Sequence, residues 1–551
     1  MTRGRVFTFD QARRNKKAPE ARWTSVAESF AGEVWPRLDP SFRIRAGDTV
    51  FTIGSCFARN IERYLADAGC RVPMQELHLP PEEWHGGANS AMNKFHPPAF
   101  RQCLDWTARI FDRGGAVEWA DCEPLAFDFG GDLWFDMDMA PTPPVGRERF
   151  LERRQHIYEV FATAFAADCV MITPGLIEAW RDTASGLYIH EPPTQKAMAA
   201  RRERWEFEIL SYEQCLADLL AAIDVVRARN PQVKVLITTS PVPMSATFSG
   251  QDIRIANTYS KSVLRAVCGA ASMLRPSVDY FPSYESATLS DPAQVWESDR
   301  IHVGGGFVGK IVAHLLDHYL EGGDAAALGL QQARTLMFEA RYADAEAAAR
   351  GVLALRPDDF EAAALEAEAL IRLHRAAEAE AKLRALIARH PDRADLRTAL
   401  GRAIARGDKA RIPEAIAEIE AAAAMPSMEL AEFRSVAELV RRQAPPETAL
   451  RLTRLAVERF PLHVEGYGLL ANVLIDQQRT GEAIELLVRA GELRRCPAAL
   501  RLQLAELLAA SDAPADAEAV ARRVLALEPG HAGATALLRR LTSAETAASA
   551  P

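Results

Sequence analysis

Cysteine is scarce in this chain, and its placement excludes more than its number. The eight cysteines, at 56, 70, 103, 122, 169, 215, 268 and 496, include no Cys-x-x-Cys unit, so a structural zinc site is not expected. Their scatter along 551 residues reads as reduced, mostly buried thiols and not as a disulfide framework. Long hydrophobic runs are missing: no stretch approaches the ~18 consecutive apolar residues of a membrane span. The basic N-terminal stretch from Met1 to Trp23 lacks the apolar segment of a secretory signal. Basic charge is not in excess, since 65 Lys and Arg against 74 Asp and Glu leave −9, which excludes the broad positive footprint of a general nucleic-acid binder. Gly and Pro, 32 each, are too few for a collagenous or mostly disordered chain. These absences lead us to expect a soluble, cytoplasmic protein with no membrane span, no nucleic-acid partner, and no metal or other cofactor.

What is present is ordinary core-forming material, 48% hydrophobic and 25% charged, in a length that suits two to four domains. The composition changes near Glu321-Gly322-Gly323-Asp324. Upstream lie most of the Trp, Phe and Pro residues and the strand-like runs; downstream Ala, Leu, Arg and Glu recur at helical spacing. We divide the chain into an N-terminal arm (1–39), an α/β domain (40–322), a repeat region (326–541) and a disordered end (542–551). The arm is expected to be flexible or loosely docked.

The downstream region repeats. Pro357, Pro391, Pro426, Pro461, Pro497 and Pro529 recur at intervals of 32 to 36 residues. Twelve residues before four of them stands a small residue: Ala345, Ala379, Ala449 and Ala517. A phased Pro that closes a second helix, with a phased Ala where two helices cross, resembles the tetratricopeptide (TPR) repeat. Residues 400–426 form the most degenerate unit. Such repeats stack into a solenoid whose concave face suits a peptide or protein partner, and self-association as a homo-oligomer is equally open to them.

Upstream, strand-like and helix-like segments alternate. Residues 47–55, 168–175, 233–243 and 278–283 read as short buried strands, and FARNIERYLADAG, 211–230, NTYSKSVLRAVCGAA and GGFVGKIVAHLLDHYL as helices. That alternation predicts a parallel sheet covered on both faces, with active groups at the carboxyl ends of its strands. Two candidates begin at such ends. In Gly54-Ser55-Cys56-Phe57-Ala58 a nucleophile would open a helix, where free N–H groups stabilise a thiolate or an oxyanion, and Gly54 would let the chain turn sharply. A Ser N-cap beside a small buried Cys is the plain alternative. In Asp299-Arg300-Ile301-His302 the carboxylate would hold one ring nitrogen and aim the other at a nucleophile.

Nucleophile turn first, Asp and His last: this order resembles the SGNH (GDSL-type) hydrolases, and the residues at 54–58 spell the name of the GSCFA family within that superfamily. Met92-Asn93-Lys94-Phe95, Thr173 to Trp180, Thr239 to Pro243, Asn257 to Ser262, Tyr280 to Glu285 and Asp299 to Val303 fit the same resemblance. It implies a three-layer α/β/α fold over roughly 40–320 and an ester-hydrolysing or acyl-transferring site, with surface polysaccharide among the substrates by analogy. Laying Gly-Asp-Ser-Leu on residues 54–57 puts Cys56 at the nucleophile position, with Ser55 as the alternative. The superfamily's Gly-x-Asn loop corresponds to Gly175-Leu176-Ile177-Glu178, which has no Asn, so Asn93 or the amides of Cys56 and Phe57 are the candidate oxyanion donors.

Around these we place Gly175, Glu178, Asn257 and Tyr284 as candidate substrate contacts. Glu178 would bind a polar group or pair with Arg181. Asn257 and Lys261, one helical turn apart, would face either the cleft or solvent. Ser240 is read as shaping a loop, and His85, His96 and His190 as loop histidines without ligand spacing. Two functions follow: an esterase or acyltransferase acting on an acyl or glycan-type substrate, or a recognition protein with a degenerate cleft in which the repeats carry the function.

Overall fold

The run Val50–Gly54 is buried at every position, as expected of a strand inside a parallel sheet with both faces covered. A computed structural model describes residues 6–80, 83–84, 89–322, 325–493, 496–511, 513–528 and 530–548; His85, Gly323, Asp324 and Pro529 lie outside them. Four parallel strands form the main sheet: β1 (Val50–Gly54), β2 (Cys169–Thr173), β3 (Lys234–Ile237) and β4 (Val278–Tyr280), side by side in the order β4-β3-β2-β1. Their registers, Val50 with Cys169 and Gly54 with Thr173, bring all four carboxyl ends to one edge.

Alternation along β1 distributes the core. Val50 joins Met171 and Leu236 in a cluster with Phe57, Ile61 and Leu65 of α1 (Cys56–Asp67) and Phe307, Ile311 and Leu315 of α6 (Gly305–Tyr319). On the other face Phe51 meets Phe161 edge-on, ring centroids 5.4 Å apart. Further helices are α2 (Pro97–Asp112), α3 (Arg147–Ala162), α4 (Tyr212–Arg229) and α5 (Ile253–Leu274). The long β1–β2 connection carries an antiparallel hairpin, 126–130 with 133–136, and a second antiparallel sheet follows β2; neither was anticipated. Ile44–Arg45 pairs in parallel with Leu320–Glu321, stitching the two ends of the α/β domain together.

The arm departs from expectation in its second half. Trp35 stacks on Phe307 at 5.4 Å, the Val34 amide donates to Ser290 Oγ at 2.7 Å, and Glu33 pairs with Lys310 at 2.6 Å. This aromatic and polar anchoring docks residues 33–35 on α6 and its surroundings.

The chain divides into two compact units, residues 1–79 with 86–362 and residues 80–85 with 363–551. The first helical hairpin, Ala325–Phe338 with Tyr342–Leu355, belongs to the first unit. There Gly309 of α6 lies so close to Thr335 that an added Cβ would stand 2.1 Å from its Oγ1. The second unit is a helical solenoid of antiparallel hairpins from Ala376–Arg389 to Ala532–Ala548. The last helix continues into the segment read as a disordered end; 549–551 lie outside the described residues. Ala345, Ala379, Ala449 and Ala517 are all buried to 2% exposure or less, as a close helix crossing demands. Ala379→Leu should therefore overpack its crossing and cost about 1–3 kcal/mol, seen as a lowered urea midpoint when helix content is followed by circular dichroism.

Candidate active site

Ser55 is the N-cap of α1, with extended backbone and its Oγ accepting the Phe57 amide at 3.4 Å. Cys56 is the first helical residue. Gly54 does not adopt a left-handed conformation; glycine is required because an added Cβ would stand 2.6 Å from Thr173 Cβ and 2.7 Å from its carbonyl oxygen. The expected sharp-turn role is thereby replaced by a steric one. The Ser55 amide continues the sheet by donating to the Thr173 carbonyl at 3.1 Å.

A second segment presses on this turn. The Lys94 amide donates to the Gly54 carbonyl at 2.8 Å, and the Phe95 carbonyl accepts from Gly175 and Leu176 at 2.7 and 3.1 Å. Gly175 in turn sits against Ser55, where an added Cβ would lie 3.3 Å from the serine Cβ. Gly54, Ser55, Cys56, Phe57, Asn93 and Gly175 thus belong to one neighbourhood. Asn93 is buried, and its Oδ1 has no hydrogen-bond partner among the described residues. Segment 93–95 is anchored from below, since Lys94 Nζ pairs with Asp138 at 2.8 Å, and Asp138 and Asp136 both pair with Arg154. All four side chains are buried, so each charge depends on its partner.

Cys56 differs from the other seven cysteines, which are all buried, in being half-exposed. Desolvation raises its thiol above the ordinary range, while the Lys261 charge, the amides of Phe57 and Cys56 and the Arg59 charge favour the thiolate. Lys261, for which helical spacing allows either cleft or solvent, does not face solvent. It is fully buried, and its Nζ donates to the carbonyls of Gly175 (2.6 Å), Ser240 (2.8 Å) and Val242 (2.6 Å). Burial pushes its ammonium down to about 7, opposed by Cys56. The only sequence signal for this residue was its helical spacing from Asn257.

The Asp–His pair forms. His302 Nδ1 lies 2.6 Å from Asp299 Oδ2, and Asp299 Oδ1 accepts the amides of Ile301 (2.9 Å) and His302 (3.0 Å). The His302 amide, the His302 ring and the Ile301 amide hold the carboxyl down to about 2. Arg300, with φ of 59°, gives the tight loop its shape. The imidazole is 64% exposed, and among the described residues no hydrogen bond joins it to Cys56 or Ser55. Its neighbour Val303 shares a core cluster with Phe57.

Two of the expected substrate contacts are engaged by other parts of the chain, and a third makes no hydrogen bond to the turn among the described residues. Both carboxylate oxygens of Glu178 are taken up by the Thr247 hydroxyl and the Phe248 amide, and Arg181 pairs with Glu206 instead. Glu178 therefore fastens a loop. Asn257 Oδ1 accepts the Met244 amide at 3.1 Å, shaping the segment after β3. Tyr284 is half-buried on the short helix Ser283–Leu289, with no hydrogen bond to the Cys56 turn among the described residues. Ser240 is buried in its loop, and His96 caps α2 through Nδ1. Among the described residues no cluster of His, Cys, Asp or Glu could hold a metal ion, and no helix is long and apolar enough to cross a membrane.

Fold and site together define an α/β domain with a thiol-bearing strand–helix turn at the carboxyl edge of a parallel sheet, followed by helical hairpins. Residues 49–315 match the GSCFA family; the α/β domain is a GSCFA domain, and TPR-type repeats follow it. No curated protein matches the chain. Among solved structures the chain is similar to the human IFIT1 dimer (18% identity, TM-score 0.27, covering 40% of this chain and 56% of that one). It is also similar to PilF of Pseudomonas aeruginosa (14%, 0.30, 39% and 97%) and to a TPR protein of Thermus thermophilus (18%, 0.22, 40% and 99%). The chain thus spans little more than half the length of IFIT1.

Two predictions follow from this geometry. Iodoacetamide under native conditions should modify one cysteine per chain, and peptide mass mapping should locate it at Cys56; labelling spread evenly over several thiols would contradict the burial pattern. Asp138→Ala strands Lys94 in the core, while Arg154 keeps Asp136, and should cost about 3–5 kcal/mol, measured by chemical denaturation.

Proposed function

We propose that the GSCFA domain cleaves or transfers an acyl group held as an ester or thioester, with Cys56 as nucleophile, and that the repeats bind the protein or peptide with which it works. The observation that carries this reading is that Cys56, the one cysteine that is not buried, opens a twelve-residue helix, where amides and a buried ammonium oppose the desolvation of its anion.

In the proposed reaction His302 accepts the thiol proton and Cys56 Sγ attacks the acyl carbonyl. The developing oxyanion is met by the Cys56 and Phe57 amides, with Asn93 beside them. Collapse breaks the bond to the leaving oxygen or sulfur, which takes the proton from His302 and leaves an S-acyl enzyme. Water then completes a hydrolysis, and a sugar or protein hydroxyl an acyl transfer. Asp299 keeps the ring in the tautomer that presents Nε2. No hydrogen bond joins the imidazole to the sulfur among the described residues, so in this reaction His302 comes within reach of Cys56 when substrate binds. Catalytic hydrogen bonds of this kind often tighten only in the complex.

One observation favours a second reading. The 64% exposure of His302 also suits a cleft that recognises a ligand without turning it over, leaving function to the repeats.

Intact-mass spectrometry after incubation with p-nitrophenyl acetate and an acyl-thioester panel separates the two. The wild type should gain one acyl group, on Cys56. Cys56→Ala should gain none, Ser55→Ala should keep it, and His302→Ala should acylate about 10²–10⁴-fold more slowly. If no acyl adduct forms and Cys56 reacts no faster than a buried thiol, the recognition reading stands.

A further inference from the structure

Lys261 is an unusual buried cation. Lys94, the other fully buried lysine, has a carboxylate partner in Asp138. Lys261 has none among the described residues, and the one titratable group acting on it is Cys56. Its three hydrogens meet three backbone carbonyls, at 2.6, 2.8 and 2.6 Å, which satisfies an ammonium and leaves a neutral amine one hydrogen short. The carbonyls belong to the segments that leave β2 (Gly175) and β3 (Ser240 and Val242), and Gly175 is the residue that packs on Ser55. Below about pH 7, where it is protonated, the ion is hydrogen-bonded and desolvated without a carboxylate to cancel it, so its field persists in a low-dielectric surrounding.

We propose that Lys261 is the positioning residue of the site: its ammonium ties the two loops beneath the Cys56 turn and supplies the positive charge that a Cys56 thiolate meets. The inference rests on Cys56 being the reactive thiol of the function proposed above. The other charge acting on the sulfur, that of Arg59 on α1 itself, is paired with Glu62 at 2.7 Å. The charge on Lys261 is the one that the surrounding carboxylates leave uncancelled.

The test reads the thiol directly and needs no turnover, so it can succeed even where the acyl-transfer reading fails. The iodoacetamide rate at Cys56 is measured against pH in the wild type, Lys261→Met and Lys261→Arg. Lys261→Met should slow alkylation about tenfold below about pH 7, where the ammonium is charged, with the difference fading as it deprotonates above that. Lys261→Arg keeps the charge and should hold the rate below about pH 7 close to the wild type, although its planar fork cannot reproduce the three carbonyl bonds. A folded Lys261→Met with an unchanged rate below about pH 7 would overturn the proposal and leave Lys261 a loop tie alone. Should Lys261→Met not fold, the wild type gives the measurement by itself: the logarithm of its alkylation rate should flatten near about pH 7 as the ammonium is lost, and a straight rise through that range overturns the proposal equally.

Discussion

The candidate site depends on how closely the backbone at Gly54 approaches Thr173. Two parallel strands run in register to their last residue, and there no space remains for a side chain on β1. With that contact made, the Ser55 amide is drawn to the Thr173 carbonyl, the serine becomes an N-cap, and Cys56 stands at the mouth of α1. The same approach lets Lys94 reach the Gly54 carbonyl and Gly175 settle on Ser55. Three chain segments converge on a turn too small to admit any residue but glycine at its base. A methyl group at that point would separate the strands and change the direction in which the thiol projects.

Buried charge then sets the character of each side of the turn. Beneath Asn93, two cations and two carboxylates compensate one another: Lys94 and Arg154 against Asp138 and Asp136. Such a network contributes less to net stability than to a single arrangement, because breaking any member strands its partner. Beneath Gly175 the balance is different. Lys261 faces only carbonyl dipoles, so its charge is solvated without being cancelled. The domain thus places a neutral cluster under the segment that carries Asn93 and a net positive charge under the segment that touches Ser55.

Much of this was legible in the sequence wherever local chemistry decides. A buried apolar run ending in Gly-Ser-Cys specifies strand, cap and helix start, and Asp299 three residues before His302 specifies a hydrogen bond that a tight loop closes. The phased Ala residues were legible because helix crossing depends on side-chain size alone. Long-range partners were not. Glu178 sat in a segment whose likeness pointed to substrate, yet Thr247 and Phe248, some seventy residues away, claim both of its oxygens. Lys261 read as an amphipathic helix position, and nothing local reveals that carbonyls at 175, 240 and 242 converge on it. The distance between His302 and Cys56 depends on how a loop lies on the finished fold, which spacing does not encode.

The repeats of the second unit follow a different rule, in which each hairpin needs only its neighbours. Their cores are Ala, Leu, Ile and Val at crossings, and their polar contacts keep the same period. Arg402 pairs with Glu368, Arg411 with Glu380, Arg441 with Asp476 and Arg451 with Glu420, each across roughly one repeat length. Exposed pairs of this kind are worth at most about 1 kcal/mol apiece, so they do not hold the array together. What they do is penalise a slip of one helix against the next, since a shift by one turn would set each arginine away from its acid. Apolar small-residue crossings resist separation but tolerate sliding; periodic charge resists sliding. Register in this solenoid therefore comes from its surface and cohesion from its core, and exposed positions outside the pairs can vary in side chain without loss of either.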